Sequence, residues 1–105
     1  MSATTSASDQ LEKRLISFAA AIVSLRSGTA AAANYGEARG AESRADFLHK
    51  LKVVFKELNE TTIWLEVIAQ TSLLSAETTA AIIVENRELC RIIAASIKTA
   101  RASGQ

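Results

Sequence analysis

RSGTAAAANYGEARGAESRADFLHKL, residues Arg26–Leu51, is the stretch whose reading sets the fold. It opens on small residues, reaches Gly40, and then starts the longest amphipathic pattern in the chain. Ser24, Gly28, Ala32, Gly36 and Gly40 are spaced by four. On one helix they form a nearly bare ridge, which lets another backbone come close, inside the subunit or between subunits. The alternative is an Ala-rich helix with incidental glycines. A single Gly weakens a helix by roughly 1 kcal/mol relative to Ala, so Gly28 need not end it. Gly40 suits a helix C-terminus because it tolerates positive φ. Tyr35 is expected to be a core or interface ring.

Upstream, Leu11, Leu15, Phe18, Ile22 and Leu25 step by alternating fours and threes, the seam of a helix packed along its length. That seam continues through Thr29, Ala32 and Gly36, across Arg26 and Gly28. Asp9 is a candidate N-cap with Glu12 three residues on. Met1–Ser8 is small and polar and reads as a disordered tail.

Downstream, Ser43 can cap the next helix, with Asp46 in its first turn. Phe47, Leu51, Val54, Leu58, Thr61, Leu65 and Ile68 repeat the same steps, and Leu48, Phe55, Trp64 and Val67 widen the apolar face. A face that wide predicts contact with more than one helix. Asp46 and Lys50 form an i, i+4 pair in the favourable order. A turn is expected near Thr71–Ser75, with Leu73 and Leu74 tucked under it. Ser75 then caps a last helix whose buried face is Ile82, Ile83, Leu89, Cys90, Ile93 and Ile97, with Asn86 inside it. The spacing predicts an all-α, up-and-down bundle with helices over about 9–39, 43–71 and 76–100. One domain covers 9–101, and 102–105 frays. A break near 26–28, giving four helices, is the alternative.

Bulk composition narrows function. The chain has 105 residues, no Pro, and 12 Lys and Arg against 11 Asp and Glu, for a net charge of +1. Such a balance creates no global field for nucleic acid or an anionic membrane, so any such role needs a local patch. The single Cys90 rules out an intrachain disulfide and fits a reducing cytoplasm. No signal peptide is visible, and no apolar run is expected to reach the roughly 20 residues that span a bilayer.

No catalytic group, cofactor site, metal site or small-molecule substrate is expected. His49 is the only histidine, with no second ligand and no nucleophile placed beside it. Glu37, Glu42, Glu57 and Glu60 do not form the Glu-x-x-His pattern of di-metal bundles. Cys90 reads as a small core residue. Arg39, Arg44, Lys50, Lys52 and Lys56 cluster around the turn and second helix, while Arg87, Arg91, Lys98 and Arg101 line the last. These read either as a solvated surface, with acidic residues interleaved, or as a strip that neutralises phosphates when multiplied by oligomer symmetry. No aromatic platform accompanies them for base stacking.

The blocks RSGT (Arg26–Thr29), ANYGEARGAESRADFLHKL (Ala33–Leu51), KELNETTIWL (Lys56–Leu65) and ELCRIIAASIKTAR (Glu88–Arg101) carry a resemblance. From Arg26 to Arg101 the chain resembles the bacterial four-helix-bundle family first noted in intervening sequences of large-subunit ribosomal RNA genes. LEKRLISFA (Leu11–Ala19) is similar to that family's first helix. The resemblance implies a helical bundle that assembles into a homo-oligomeric ring, typically a pentamer, with no established enzymatic activity. Relatives include the accessory protein of diversity-generating retroelements, a basic pentamer that binds a reverse transcriptase and nucleic acid. The resemblance thus implies partners of two kinds, further copies and a nucleic acid or nucleic-acid enzyme.

The chain departs from the family at one place. In the family, the first helix enters a Pro-containing turn, and a second helix leads into the RSGT block. Here Leu25 abuts Arg26 directly, and roughly five helical turns of sequence are missing. The family's first two helices are therefore expected to be fused into one rod. Gly28, Ala32, Gly36, Gly40, Tyr35 and Trp64 are the chain's candidate packing or oligomer residues.

Overall fold

A polypeptide with no Pro and strong caps at its chain breaks has little to stop a helix between them. A computed structural model of the protein, describing residues 6–72 and 74–103, contains three helices: α1 (Ala7–Arg39), α2 (Arg44–Thr71) and α3 (Ala76–Ser103). The side chains at 17, 18 and 20 lie outside the description. Of the expected tail, residues 1–5 also lie outside it.

α1 is one rod of 33 residues. It stays helical through Leu25, Arg26, Ser27 and Gly28, so the fused reading holds and the four-helix alternative does not. Local hydrogen bonds hold the neighbouring backbone, with Thr29 Oγ1 donating to the Leu25 carbonyl at 2.8 Å and Asn34 to the Ala30 carbonyl at 2.8 Å.

The ends differ in detail from expectation. Ser6, not Asp9, caps α1: its Oγ accepts from the Asp9 N–H at 3.0 Å. Asp9 instead sits in the first turn, where its negative charge meets the positive end of the helix dipole. Ser43 caps α2 by accepting from the Asp46 N–H, as its sequence position indicates. Ser75 Oγ likewise accepts from the Thr78 N–H at the start of α3. Gly40 ends α1 without positive φ (−97°), because its N–H and that of Ala41 reach back three residues to Glu37 and Ala38. Left-handed backbone falls on Ser72 instead, at φ 58°. α3 also runs through residues 101–103, past the expected fraying point.

α2 is the middle helix. Among the described residues, α1 and α3 each pack on it and not on each other. Leu51, Val54, Leu58, Thr61, Leu65 and Ile68 are buried along it, the seam its spacing indicates. Ala31 and Ala38 of α1 and Ile93 and Ile97 of α3 join Leu51, Val54 and Leu58 in one cluster. A second cluster holds Leu65 and Ile68, with Ala21, Trp64, Val67 and Ile83 against it. The wide face of α2 thus serves two partners.

Several expected contacts are not made. Ile82 and Leu89 are each 40% exposed, because α3 touches only α2 and a helix with one neighbour buries one stripe. Leu74 is 39% exposed rather than tucked in, and Leu73 lies outside the described residues. Asp46 and Lys50 do not pair. The ion pairs among the described residues are Arg87–Glu66 and Arg91–Glu88.

The shape is a rod, 64 × 21 × 19 Å, with a radius of gyration of 17.7 Å. A compact domain of this size would have a radius near 13 Å. Part of the length comes from α1: every residue from 6 to 16 is exposed, beyond the reach of α2.

Candidate self-association and nucleic-acid surfaces

The face of α1 that meets α2 is made of small and polar residues. Ser27, Ala31 and Ala38 are buried there, with Val23, Ser24, Ala30 and Asn34 half-buried. On a helix these positions form one stripe at steps of three and four. The leucine seam lies half a turn away. Leu11, Leu15, Ile22 and Leu25 are 56%, 59%, 50% and 69% exposed. Within the subunit, then, this seam is not packed along its length. Its period marks a real stripe, but within the subunit small residues take the place against α2. The side chain of Phe18, in the same register, is outside the description.

Small-residue positions flank this stripe. Gly28, Ala32, Gly36 and Gly40 are exposed. A methyl group added at Gly28 or Gly36 would meet nothing within 4 Å. They form no close-packing ridge inside the subunit. Tyr35 is 43% exposed. Trp64 is half-buried and packs on Leu65 and Ile68.

α1 also bears on the membrane question, although Arg14 and Arg26 bound its uncharged run. It is long and apolar enough, by length and composition, to cross a membrane.

Of the nine candidate cations, Lys50 is half-buried; Arg39, Arg44, Lys52, Lys56, Arg87, Arg91, Lys98 and Arg101 are exposed. Arg87 bonds Glu66 at 3.6 Å and Arg91 bonds Glu88, which tempers the α3 strip. Asn86 opposite Leu58 and Thr62, and Cys90 opposite Asn59, fix an antiparallel α2–α3 register. Eight residues beyond Cys90, that register brings Lys98 to the level of Leu51, beside Lys52. Neither lysine joins an ion pair among the described residues.

No catalytic constellation forms among the described residues. His49 is exposed, and no group of three His, Cys, Asp or Glu side chains comes together. One open groove is lined by Ala69, Ser72, Leu74, Thr79 and Ile83, without a titratable side chain. Another, between the start of α2 and the end of α3, holds Arg44, Phe47, Ile92 and Ser96. Cys90 is half-buried against the core.

Two features escaped the sequence reading. Ser24 and Ser27 are buried hydroxyls without a hydrogen-bond partner. Thr62 is the partner of Asn86 across α2 and α3. Serine on a small-residue face gives no signal of burial, and a Thr on the flank of an apolar face gives none of its partner.

A rod of antiparallel helices with an uncovered apolar stripe is the class this geometry defines: an all-α helical bundle. The chain belongs to the 23S rRNA-intervening sequence protein family, whose model matches residues 5–95. A solved structure from Bacteroides thetaiotaomicron, a protein of unknown function from the S23 ribosomal protein family, is similar to it. The two are 39% identical with a TM-score of 0.72, covering 75% of this chain and 73% of that one. Comparison with curated proteins gives no match.

Proposed function

We propose that the protein is a non-enzymatic, self-associating helical-bundle scaffold. The observation that carries this reading is the outward stripe of Leu11, Leu15, Ile22 and Leu25. A contiguous apolar stripe along a helix, left in water, marks a site of association. Its spacing of four and three is that of helices that pack together along their length. Family membership supports association in general, because the resemblance implies an assembly of several copies; the fused first helix of this chain departs from the family at the place where a ring would have to be rebuilt. Sedimentation at micromolar concentration tests it. A species heavier than the 11.2 kDa chain is expected, and a profile of monomer alone overturns it.

A second reading rests on one observation, the near levelling of Lys52 with Lys98 on neighbouring helices, close to Lys56 and Arg101. In this reading the assembly is an RNA- or DNA-binding accessory protein whose strips are summed over several copies. Contacts of that kind weaken steeply with salt, because phosphate neutralisation releases counterions. Filter binding of a single-stranded RNA and a duplex DNA at low and moderate salt tests it. Retention at low salt that falls as salt rises is expected; no retention, or retention indifferent to salt, overturns it.

A further inference from the structure

The self-association reading leaves open which surface meets which. We infer that the α1 stripe is covered by α1 of a second copy, running antiparallel, in a two-fold contact centred near residue 20.

With Leu15, Ile22 and Thr29 at one core position of a seven-residue repeat, Leu11, position 18 and Leu25 fall at the other. The residues turned to α2, Ser27, Ala31, Asn34 and Ala38, then occupy the positions opposite the seam. α1 therefore presents two separate faces, one already used and one bare. In an antiparallel pair, the two kinds of core position face each other. Leu11 then meets Thr29 of the second copy, and Leu15 meets Leu25.

Charge picks this arrangement. Glu12 and Arg26 both flank the stripe on the same edge, both are exposed, and neither is in an ion pair among the described residues. They are 14 positions apart, about 21 Å along one helix, too far to pair within a chain. The antiparallel register that aligns the core positions also sets Glu12 opposite Arg26 of the second copy, twice by symmetry. On the other edge it sets Arg14 opposite Gly28, where the missing side chain leaves room, and Ala21 opposite itself. In a parallel pair Glu12 would have no Arg26 within reach. A bilayer would have to accommodate Arg26 inside the apolar stretch, which is costly. A second copy supplies a carboxylate there.

The exposed overhang of residues 6–16 has the same explanation. It extends past α2 of its own chain and, in this register, lies over residues 24–34 of the other. A contact of this type is isologous and closes at two copies. It thus differs from the heterologous contact that a ring requires.

This inference rests on the self-association reading, and the test separates the two. Sedimentation equilibrium of the full chain is expected to give twice 11.2 kDa. Glu12→Arg or Arg26→Glu alone is expected to weaken the dimer about tenfold, and the double variant to restore it, since the reversed charges pair again. Leu25→Asp is expected to give a monomer with unchanged helical circular dichroism, because Leu25 touches little in its own chain. Wild-type protein that is monomeric overturns both readings. Assembly that survives Leu25→Asp overturns the α1 contact and leaves self-association standing through another surface. Loss of assembly in Leu25→Asp without rescue in the double charge variant overturns the antiparallel register. Co-sedimentation with phosphatidylcholine vesicles that Leu25→Asp abolishes overturns the second copy as the occupant of the stripe.

Discussion

The side-chain amide of Asn86 in α3 donates to Thr62 Oγ1 in α2 at 2.7 Å, and also lies 3.2 Å from the Leu58 carbonyl. Asn86 is 6% exposed, on a face of α3 that also buries Thr79, Ile93, Ile97 and Ala100. The Thr62 hydroxyl donates in turn to the Leu58 carbonyl at 3.1 Å, so the amide meets a hydroxyl that is itself fixed. A buried amide held this way favours one sliding position of α3 on α2, since a shift of one turn would strand it.

Asn86→Ala is therefore expected to destabilise the protein by about 1–3 kcal/mol, through a lost bond and a small cavity. Thr62→Val is expected to cost less. Urea denaturation of both single variants and the double variant checks the point. Their effects should fall short of additive, because each removes the same bond. Full additivity would show that the two side chains do not act together.

Ser27 gives the opposite expectation. Its side chain is fully buried against α2, and its Oγ has no partner. A buried hydroxyl without a hydrogen bond is unfavourable by roughly 1–3 kcal/mol. Ser27→Ala removes it, leaves a gap of one oxygen, and improves helix propensity. The urea midpoint is expected to rise by the equivalent of up to about 1 kcal/mol, with the slope unchanged. A fall in the midpoint would mean that the hydroxyl is bonded in solution.

The contrast between Asn86 and Ser27 shows what the sequence disclosed. The α2 seam was legible because large residues at Leu51, Val54, Leu58, Leu65 and Ile68 repeat at helical spacing, and that helix has a neighbour on each flank. The α1 seam was equally periodic, but a period says only that residues share a stripe. Whether the stripe meets its own chain depends on what else competes for α2. There Ser27, Ala31 and Ala38 allow closer approach than leucines do. The unbroken rod was favoured for a simpler reason: between Leu25 and Thr29 only Gly28 weakens a helix, by roughly 1 kcal/mol, which is too little to end it. The ends were less legible, because Ser6, Asp9 and Gly40 can each satisfy a helix terminus in more than one way. The cation strips could be located but not weighed, since pairing of Arg87 and Arg91 with Glu66 and Glu88 depends on side-chain placement.

Gly28 and Gly36 lie inside α1 with open space where a methyl group would go. In an isolated subunit each change to Ala should stabilise by about 1 kcal/mol, since Ala is the better helix former. Thermal melts of Gly36→Ala at low and high protein concentration check this. A gain at both concentrations is expected if no backbone approaches position 36. A gain confined to the dilute sample would place position 36 in a tight contact between copies.

Ser72 ends α2 in the left-handed region, at φ 58°, and its N–H donates to the Ile68 carbonyl at 3.1 Å. A residue with a Cβ is strained there by roughly 1 kcal/mol relative to Gly. Its position beyond the last turn is the one that glycine most often fills. Ser72→Gly relieves that strain but loosens the unfolded chain, and the two effects oppose each other. Because the φ already lies in glycine's favoured region, relief should prevail, and a net gain of about 0.5 kcal/mol is expected. Ser72→Ala retains the Cβ and should give no such gain. Paired urea titrations of the two variants decide the matter. Equal midpoints would show that the turn between α2 and α3 adopts another backbone conformation in solution.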